Sequence, residues 1–164
     1  MTKSVEQLVM TLNKEAEIYS EILDVAQRKR SAIKQQKISE LEMLTTEEQG
    51  LVVSLFKLEE IREKVVDIIM RENKIEFVEN VTQLTQFLPQ ESKSAVLGAK
   101  DRLLVLVKNV SDENRFNSKL LEEKINLLNF SLDLITQIDG DTSKYNKDAV
   151  DDSGERRSIF DARV

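Results

Sequence analysis

The chain has 164 residues, of which 33% are charged and only 5% are aromatic, and it holds one proline and four glycines. This composition is typical of long amphipathic helices and argues against a β-sandwich or a doubly wound sheet. The lack of cysteine excludes a disulfide scaffold, and the lack of histidine removes the commonest general base and metal ligand. We therefore expect no enzyme, no catalytic residue, no metal and no cofactor.

The net charge of −6 argues against nucleic acid as a partner, because nucleic-acid binding needs a basic face. No stretch approaches the roughly 18 apolar residues of a membrane-spanning helix. The first residues hold no apolar stretch of the length found in a signal peptide. We therefore expect a cytoplasmic protein that does not insert into membranes.

Apolar periodicity predicts two long helices in the first half of the chain. In the first, at about 3–36, apolar residues recur in alternating steps of four and three, which is the seam of a coiled coil. The second, at about 39–73, starts at a capping box formed by Ser39 and Glu42.

The second half of the chain predicts a short helix and a third long one. A helical elbow at 75–88 ends before Pro89, because the residue that precedes a proline disfavours helical geometry. The long helix covers about 90–138 and stops at the Asp-Gly-Asp sequence that follows it.

These elements together define the expected fold. We predict an all-α protein, an elongated antiparallel bundle of three long helices that resembles a coiled coil, with the short elbow between the second and third. Residues 1–139 would form this bundle domain. Residues 140–164 are polar and mixed in charge, so we expect a flexible, disordered C-terminal tail with a few apolar anchors.

The third long helix carries a first apolar seam that we expect to face the other two helices. Two asparagines, Asn114 and Asn117, fall at consecutive positions of this seam, and we predict that they are buried and set the register of the bundle. The seam consists of Leu103, Val107, Val110, Asn114, Asn117, Leu121, Ile125, Leu128, Leu132 and Ile135.

A second apolar stripe follows the same helix, at least a quarter-turn away from the first. A helix that is apolar over half of its circumference needs two neighbours. The first two helices could supply both, or the stripe could hold a helix of a partner or of a second copy. The stripe consists of Leu120, Leu127, Phe130, Leu134 and Ile138.

The polar tail ends on an apolar pair, Ile159–Phe160, and also holds Tyr145. Exposed apolar groups in a polar segment bring only a risk of aggregation, so the pair indicates an anchor for a surface on this molecule or on another one. We count both residues with the second stripe as candidate binding residues.

Several motifs of the chain resemble the FlgN family of flagellar export chaperones. The stretch "SDENRFNSKLLEEKINLLNFSLDLI" is similar to the third helix of that family, with paired asparagines, paired leucines and an "NF" pair at Asn129 and Phe130. The stretch "ISELEMLTTEEQGLV" is similar to the acidic, threonine-containing turn after the family's first helix. Tyr145 soon after the long helix and a closing "FDARV" also fit.

The resemblance implies a cytosolic chaperone of flagellar type III export. Such a chaperone binds the C-terminal helices of the hook–filament junction proteins FlgK and FlgL, prevents their premature assembly and delivers them to the export apparatus. It implies contacts with the export gate protein FlhA, through the tyrosine that Tyr145 matches, and with the stalk protein FliJ. The alternative is a structural coiled-coil or adaptor protein that forms a homodimer through the surplus apolar stripe.

Overall fold

A computed structural model describes residues 1–143, with side chains described up to residue 140. Within that range the chain is all-α and has no strand, which confirms the predicted class and its three long helices. Residues 144–164, which make up most of the predicted tail, lie outside the described residues. The elements are α1 (Lys3–Lys34), α2 (Ile38–Glu72), α3 (Val81–Leu84), a 3₁₀ turn (Thr85–Phe87) and α4 (Gln90–Ser143).

The connection between α1 and α2 is a tight turn of three residues. Gln36 adopts a left-handed conformation with φ of 56°, and the N–H of Lys37 donates to the carbonyl oxygen of Ala32 at 2.9 Å. Helix α2 then starts at Ile38, so Ser39 already lies inside the helix. The predicted capping box therefore does not form, and Lys37 occupies the N-cap position without a capping side-chain hydrogen bond.

The elbow is less helical than the apolar spacing predicts. The side-chain oxygen of Asn80 accepts the N–H of Gln83 at 2.8 Å, so Asn80 caps the short α3 and the residues before it stay non-helical. Leu88 adopts extended geometry with ψ of 152° directly before Pro89, as expected for a residue that precedes proline.

Helices α1 and α2 run antiparallel within the first of two compact units, Met1–Glu123. The Ser4 hydroxyl donates to Glu72 at 2.5 Å, and the Arg28 guanidinium donates to Glu47 at 2.8 Å. A residue near the start of α1 thus contacts the end of α2, and a residue near the end of α1 contacts the first part of α2. The two helices are therefore antiparallel.

Helix α4 packs on α1 in the same direction in this unit. The Arg102 guanidinium donates to the side-chain oxygen of Asn13, and the Asn117 amide donates to the carbonyl oxygen of Ala26, both at 2.8 Å. The main core cluster joins the three long helices and the elbow. It contains Val5, Leu8, Leu12, Val65, Ile69, Leu84, Leu88, Val96, Ala99 and Leu103.

Helix α4 is 54 residues long and continues past its predicted stop. Gly140 costs a helix only about 1 kcal/mol relative to alanine, which is too little to end a long helix by itself. A second compact unit starts at Lys124, within this helix. Among residues 1–143, none of the helices combines the length and the apolarity that crossing a membrane requires.

Candidate functional site

The distal part of α4 exposes an unusual number of large apolar side chains. Every residue from 126 to 140 is exposed. Soluble proteins rarely expose a continuous apolar patch of this kind unless it binds a partner. We call the set of seven apolar residues the distal face: Leu127, Leu128, Phe130, Leu132, Leu134, Ile135 and Ile138.

The distal face consists of two stripes. At roughly 100° per residue, Leu127, Phe130, Leu134 and Ile138 share one side of the helix, which we call the Phe130 stripe. The remaining three residues form the Leu132 stripe, which consists of Leu128, Leu132 and Ile135. Phe130 is 60% exposed and Leu132 is 53% exposed, so neither stripe is buried by the described residues.

Four of the seven residues assigned to binding from sequence lie on the Phe130 stripe: Leu127, Phe130, Leu134 and Ile138. A fifth, Leu120, is half-buried and belongs to the first compact unit. The other two, Ile159 and Phe160, lie outside the described residues, as does Tyr145. The structure therefore brings four of the candidates together on one exposed surface.

The sequence analysis placed Leu128, Leu132 and Ile135 in the core seam, and for these three residues that prediction is wrong. All three are exposed. The reason is that all three lie in the second compact unit, in which α4 is the only helix among the described residues. The unequal lengths of the predicted helices were a signal for this surface.

A polar layer joins α1 and α4 near the end of the first unit. The Arg30 guanidinium donates to Glu113 at 2.7 Å and lies over the ring of Phe116, 4.1 Å from its centroid. One turn further along α4, Asn117 is buried with 6% exposure and donates to Ala26. One polar atom each of Arg30, Glu113 and Asn117 is buried without a hydrogen-bond partner, so the polar groups of this layer are incompletely satisfied.

Asn114 is exposed, and the prediction that it is buried is therefore wrong. The ion pair with Arg30 draws Glu113 toward α1 at this level of the bundle. Its neighbour Asn114 is rotated by about 100° on the helix and consequently points to solvent. The register-setting role predicted for Asn117 remains a prediction.

One carboxyl group is deeply buried in the first unit. Glu15 is 1% exposed and accepts a hydrogen bond from the Arg62 guanidinium at 3.0 Å. Burial raises the pKa of Glu15, and Arg62 opposes that rise. Among the described side chains, no group of three or more acidic residues could hold a metal ion.

Comparison with known proteins identifies the family. The family model described as FlgN protein matches residues 1–151, which is most of the chain. This chain belongs to the FlgN family. Searches of curated proteins and of solved structures give no match.

Membership in the FlgN family makes this chain a flagellar export chaperone, because that is what the family's proteins are. A chaperone needs an apolar surface that is open before its client binds. The distal face of α4 has this property and lies within the residues that the family model matches. The terminal pair Ile159–Phe160 lies beyond the matched residues.

Proposed function

We propose that this FlgN-family chain binds the C-terminal helices of the hook–filament junction proteins FlgK and FlgL through the distal face of α4. Binding would prevent their premature assembly in the cytoplasm and keep them ready for export. The observation that carries the proposal is the exposure of seven large apolar side chains between Leu127 and Ile138. An amphipathic cargo helix would bury its own apolar stripe against them.

The energetics suit a transport chaperone. Fully burying an apolar side chain gains about 1.5–3 kcal/mol, so the four residues of the Phe130 stripe offer several kcal/mol. Ordering the cargo segment and its side chains offsets part of this gain. The remainder supports specific binding that can still be reversed when the cargo is handed over.

Three further residues belong to the proposed cargo site. Leu120 is half-buried and offers part of its side chain, and the family resemblance places paired leucines at Leu120 and the next residue. Ile159 and Phe160 are the large apolar residues of an otherwise polar segment, which supports a role as anchors that close on bound cargo.

The delivery step involves two further partners. By resemblance to the family, the export gate protein FlhA contacts Tyr145, and the stalk protein FliJ also contacts the chaperone. Tyr145 is not one of the residues of the distal face, so cargo could stay bound there while the gate is engaged.

Calorimetry of the full chain against a synthetic C-terminal segment of FlgK from the same organism tests the proposal. We expect one-to-one binding that is abolished by the double change Phe130→Ala and Leu134→Ala, with the helical circular dichroism signal unchanged. A chain that ends at Gly140 tests the anchors, and we expect weaker binding without Ile159 and Phe160.

The same samples distinguish the chaperone from a structural coiled coil. Sedimentation of the chain without cargo should show a species that does not self-associate tightly. A tight homodimer that is lost with Phe130→Ala and Leu134→Ala, together with no heat of binding to the FlgK segment, would overturn the proposal in favour of the homodimer.

A further inference from the structure

The apolar packing of α4 on the other two long helices becomes thinner along the first compact unit. Further along α4 than the main core cluster, a second cluster holds one buried residue of this helix, Val110. A third cluster lies near the turn between α1 and α2, and its described members belong to those two helices alone. At the elbow end, by contrast, the main core cluster holds three buried residues of α4: Val96, Ala99 and Leu103.

Beyond Val110 the contact between α4 and α1 is mainly polar. Among the described residues, Asn117 is the only later residue of α4 that is buried, and it donates to the carbonyl oxygen of Ala26 at 2.8 Å. Glu113 accepts from Arg30 at 2.7 Å, and the Arg30 side chain is 35% exposed. Water can replace the partners of such groups when two helices separate, whereas separation of buried apolar side chains exposes them to water without compensation.

Helix α1 stays attached to α2 at this level without α4. An ion pair joins Arg28 to Glu47 at 2.8 Å, and a second one joins Lys29 to Glu48 at 3.1 Å. Separation of α4 would leave these contacts in place, together with those of the third cluster. That cluster joins the two helices through three buried residues: Val25, Ala32 and Leu44.

We propose that α4 separates from α1 over residues 111–121 in the folded protein, while the α1–α2 pair and the elbow end stay packed, and that this opening regulates cargo binding. Folded proteins open locally where few buried apolar contacts hold a segment, at a free energy below that of global unfolding. The segment that opens is therefore the one whose contacts are mainly polar.

The link to cargo rests on the proposed function. Leu121 follows Asn117 by one turn on the same side of α4 and is half-buried. Opening exposes Leu121 and so adds an apolar residue next to Leu120, which the proposed function assigns to cargo. A ligand that needs the open state binds with an apparent affinity reduced by the fraction of chains that are open. The ion pair between Arg30 and Glu113 then acts against cargo binding.

Cysteine labelling measures the opening directly, because the chain has no cysteine of its own. Ala26→Cys, Ala32→Cys and Ala99→Cys each place one thiol at a position that is at most 1% exposed. Ala26 lies beside Asn117 of α4. Ala32 belongs to the third cluster and Ala99 to the main one. We expect Ala26→Cys to react with a thiol reagent at least about tenfold faster than the other two variants, at a rate that depends little on urea.

Equal labelling rates that rise steeply with urea would overturn the proposal, because labelling would then follow global unfolding. Faster labelling of Ala32→Cys than of Ala26→Cys would overturn it as well, because the α1–α2 pair would then open first. Hydrogen exchange of the unmodified chain gives a second measurement that needs no substitution. Amides of residues 111–121 should exchange at least about tenfold faster than those of residues 96–103, because a helix without packed neighbours is only marginally stable. Equal exchange would overturn the opening.

Two arginine variants test what holds the closed state. Arg30→Ala removes the ion pair with Glu113 on α4 and should speed the labelling of Ala26→Cys by at least about fivefold. Arg28→Ala removes the ion pair with Glu47 on α2 and should change that rate by less than about twofold. An equal effect of both substitutions would contradict a specific role of Arg30 in closing α4 on α1.

Calorimetry with the FlgK segment tests the link to cargo. Arg30 is not a residue of the distal face, yet Arg30→Ala should bind the segment at least about threefold more tightly, because more chains are open. Arg28→Ala should bind like the unmodified chain. Unchanged or weaker binding by Arg30→Ala would overturn the regulation of cargo, whereas the labelling rates decide the opening itself. No binding by the unmodified chain would overturn the proposed function and, with it, the link to cargo.

Discussion

The side-chain amide of Asn117 donates a hydrogen bond to the backbone carbonyl oxygen of Ala26, at 2.8 Å and across 91 positions of sequence. It joins α4 to α1 at the last buried position of α4 among the described residues. The Ala26 carbonyl lies inside α1, so the bond adds to helical hydrogen bonding and does not replace it. The side-chain oxygen of Asn117, Oδ1, is buried without a hydrogen-bond partner.

We predict that Asn117→Leu leaves the bundle equally stable or more stable, by up to about 1–2 kcal/mol. Leucine is similar in volume to asparagine, and the replacement removes an incompletely satisfied polar group from the core. Such replacements are often neutral or stabilising. Urea unfolding followed by circular dichroism measures the change. The control is Asn114→Leu at the exposed neighbouring position, which should change the free energy of unfolding by less than about 0.5 kcal/mol. A clear loss of stability in Asn117→Leu alone would show that the amide is a net stabiliser.

We predict that Arg30→Lys destabilises the first unit by about 1 kcal/mol although it keeps the charge. The Arg30 guanidinium is planar and lies over the Phe116 ring while it donates to Glu113. Lysine has no such planar group, so it cannot make both contacts in the same way. Thermal unfolding provides the measurement. Arg28→Lys is the control, because Arg28 forms its ion pairs at an exposed position. We expect this variant to unfold at the same Tm as the unmodified chain. Equal Tm values for both variants would mean that the stacking on Phe116 contributes nothing.

The sequence predicted the helices well because each depends on local periodicity and on its nearest neighbours. The three long helices and the break before Pro89 follow from such local rules. The start of α2 was placed one residue late, because the turn around Gln36 is held by the N–H of Lys37 and not by a capping side chain.

Contacts between residues that are far apart in the sequence determine which side of α4 is buried, and local sequence patterns do not reveal them. Asn114 and Glu113 are both plausible seam residues by spacing, and only the position of Arg30 on α1 selects Glu113. The Leu132 stripe has the pattern of a core seam, but it lies on the part of α4 that belongs to the second compact unit, where the described residues include no other helix. Periodicity finds an apolar face, but it does not say whether the same chain covers that face.

The contrast between core and distal face yields a third prediction. Leu84 is fully buried in the main core cluster, so Leu84→Ala should cost about 2–5 kcal/mol. Phe130→Ala removes a larger side chain from an exposed position and should change the free energy of unfolding by less than about 0.5 kcal/mol. Urea unfolding of both variants measures the two changes in the free energy of unfolding. A comparable loss in Phe130→Ala would show that the distal face is covered within the chain and is not an open binding surface.

The buried carboxyl of Glu15 makes stability depend on pH. Burial raises its pKa in the folded chain above the value of about 4.5 that it has when unfolded. Between these two values the folded state holds a proton that the unfolded state has lost, so stability falls as pH rises through this window and then levels off. Arg62 reduces the effect because it favours the charged carboxylate.

We predict that Glu15→Gln removes this part of the pH dependence, because glutamine keeps the shape and cannot ionise. The Tm of the variant minus that of the unmodified chain should increase as pH rises from about 4.5 through the raised pKa and then stay constant. Glu17→Gln makes the same change of net charge at an exposed position of α1 and serves as the control. A difference that shrinks with rising pH would mean that the ion pair with Arg62 outweighs the cost of burying the charge, so that the folded-state pKa is in fact lowered.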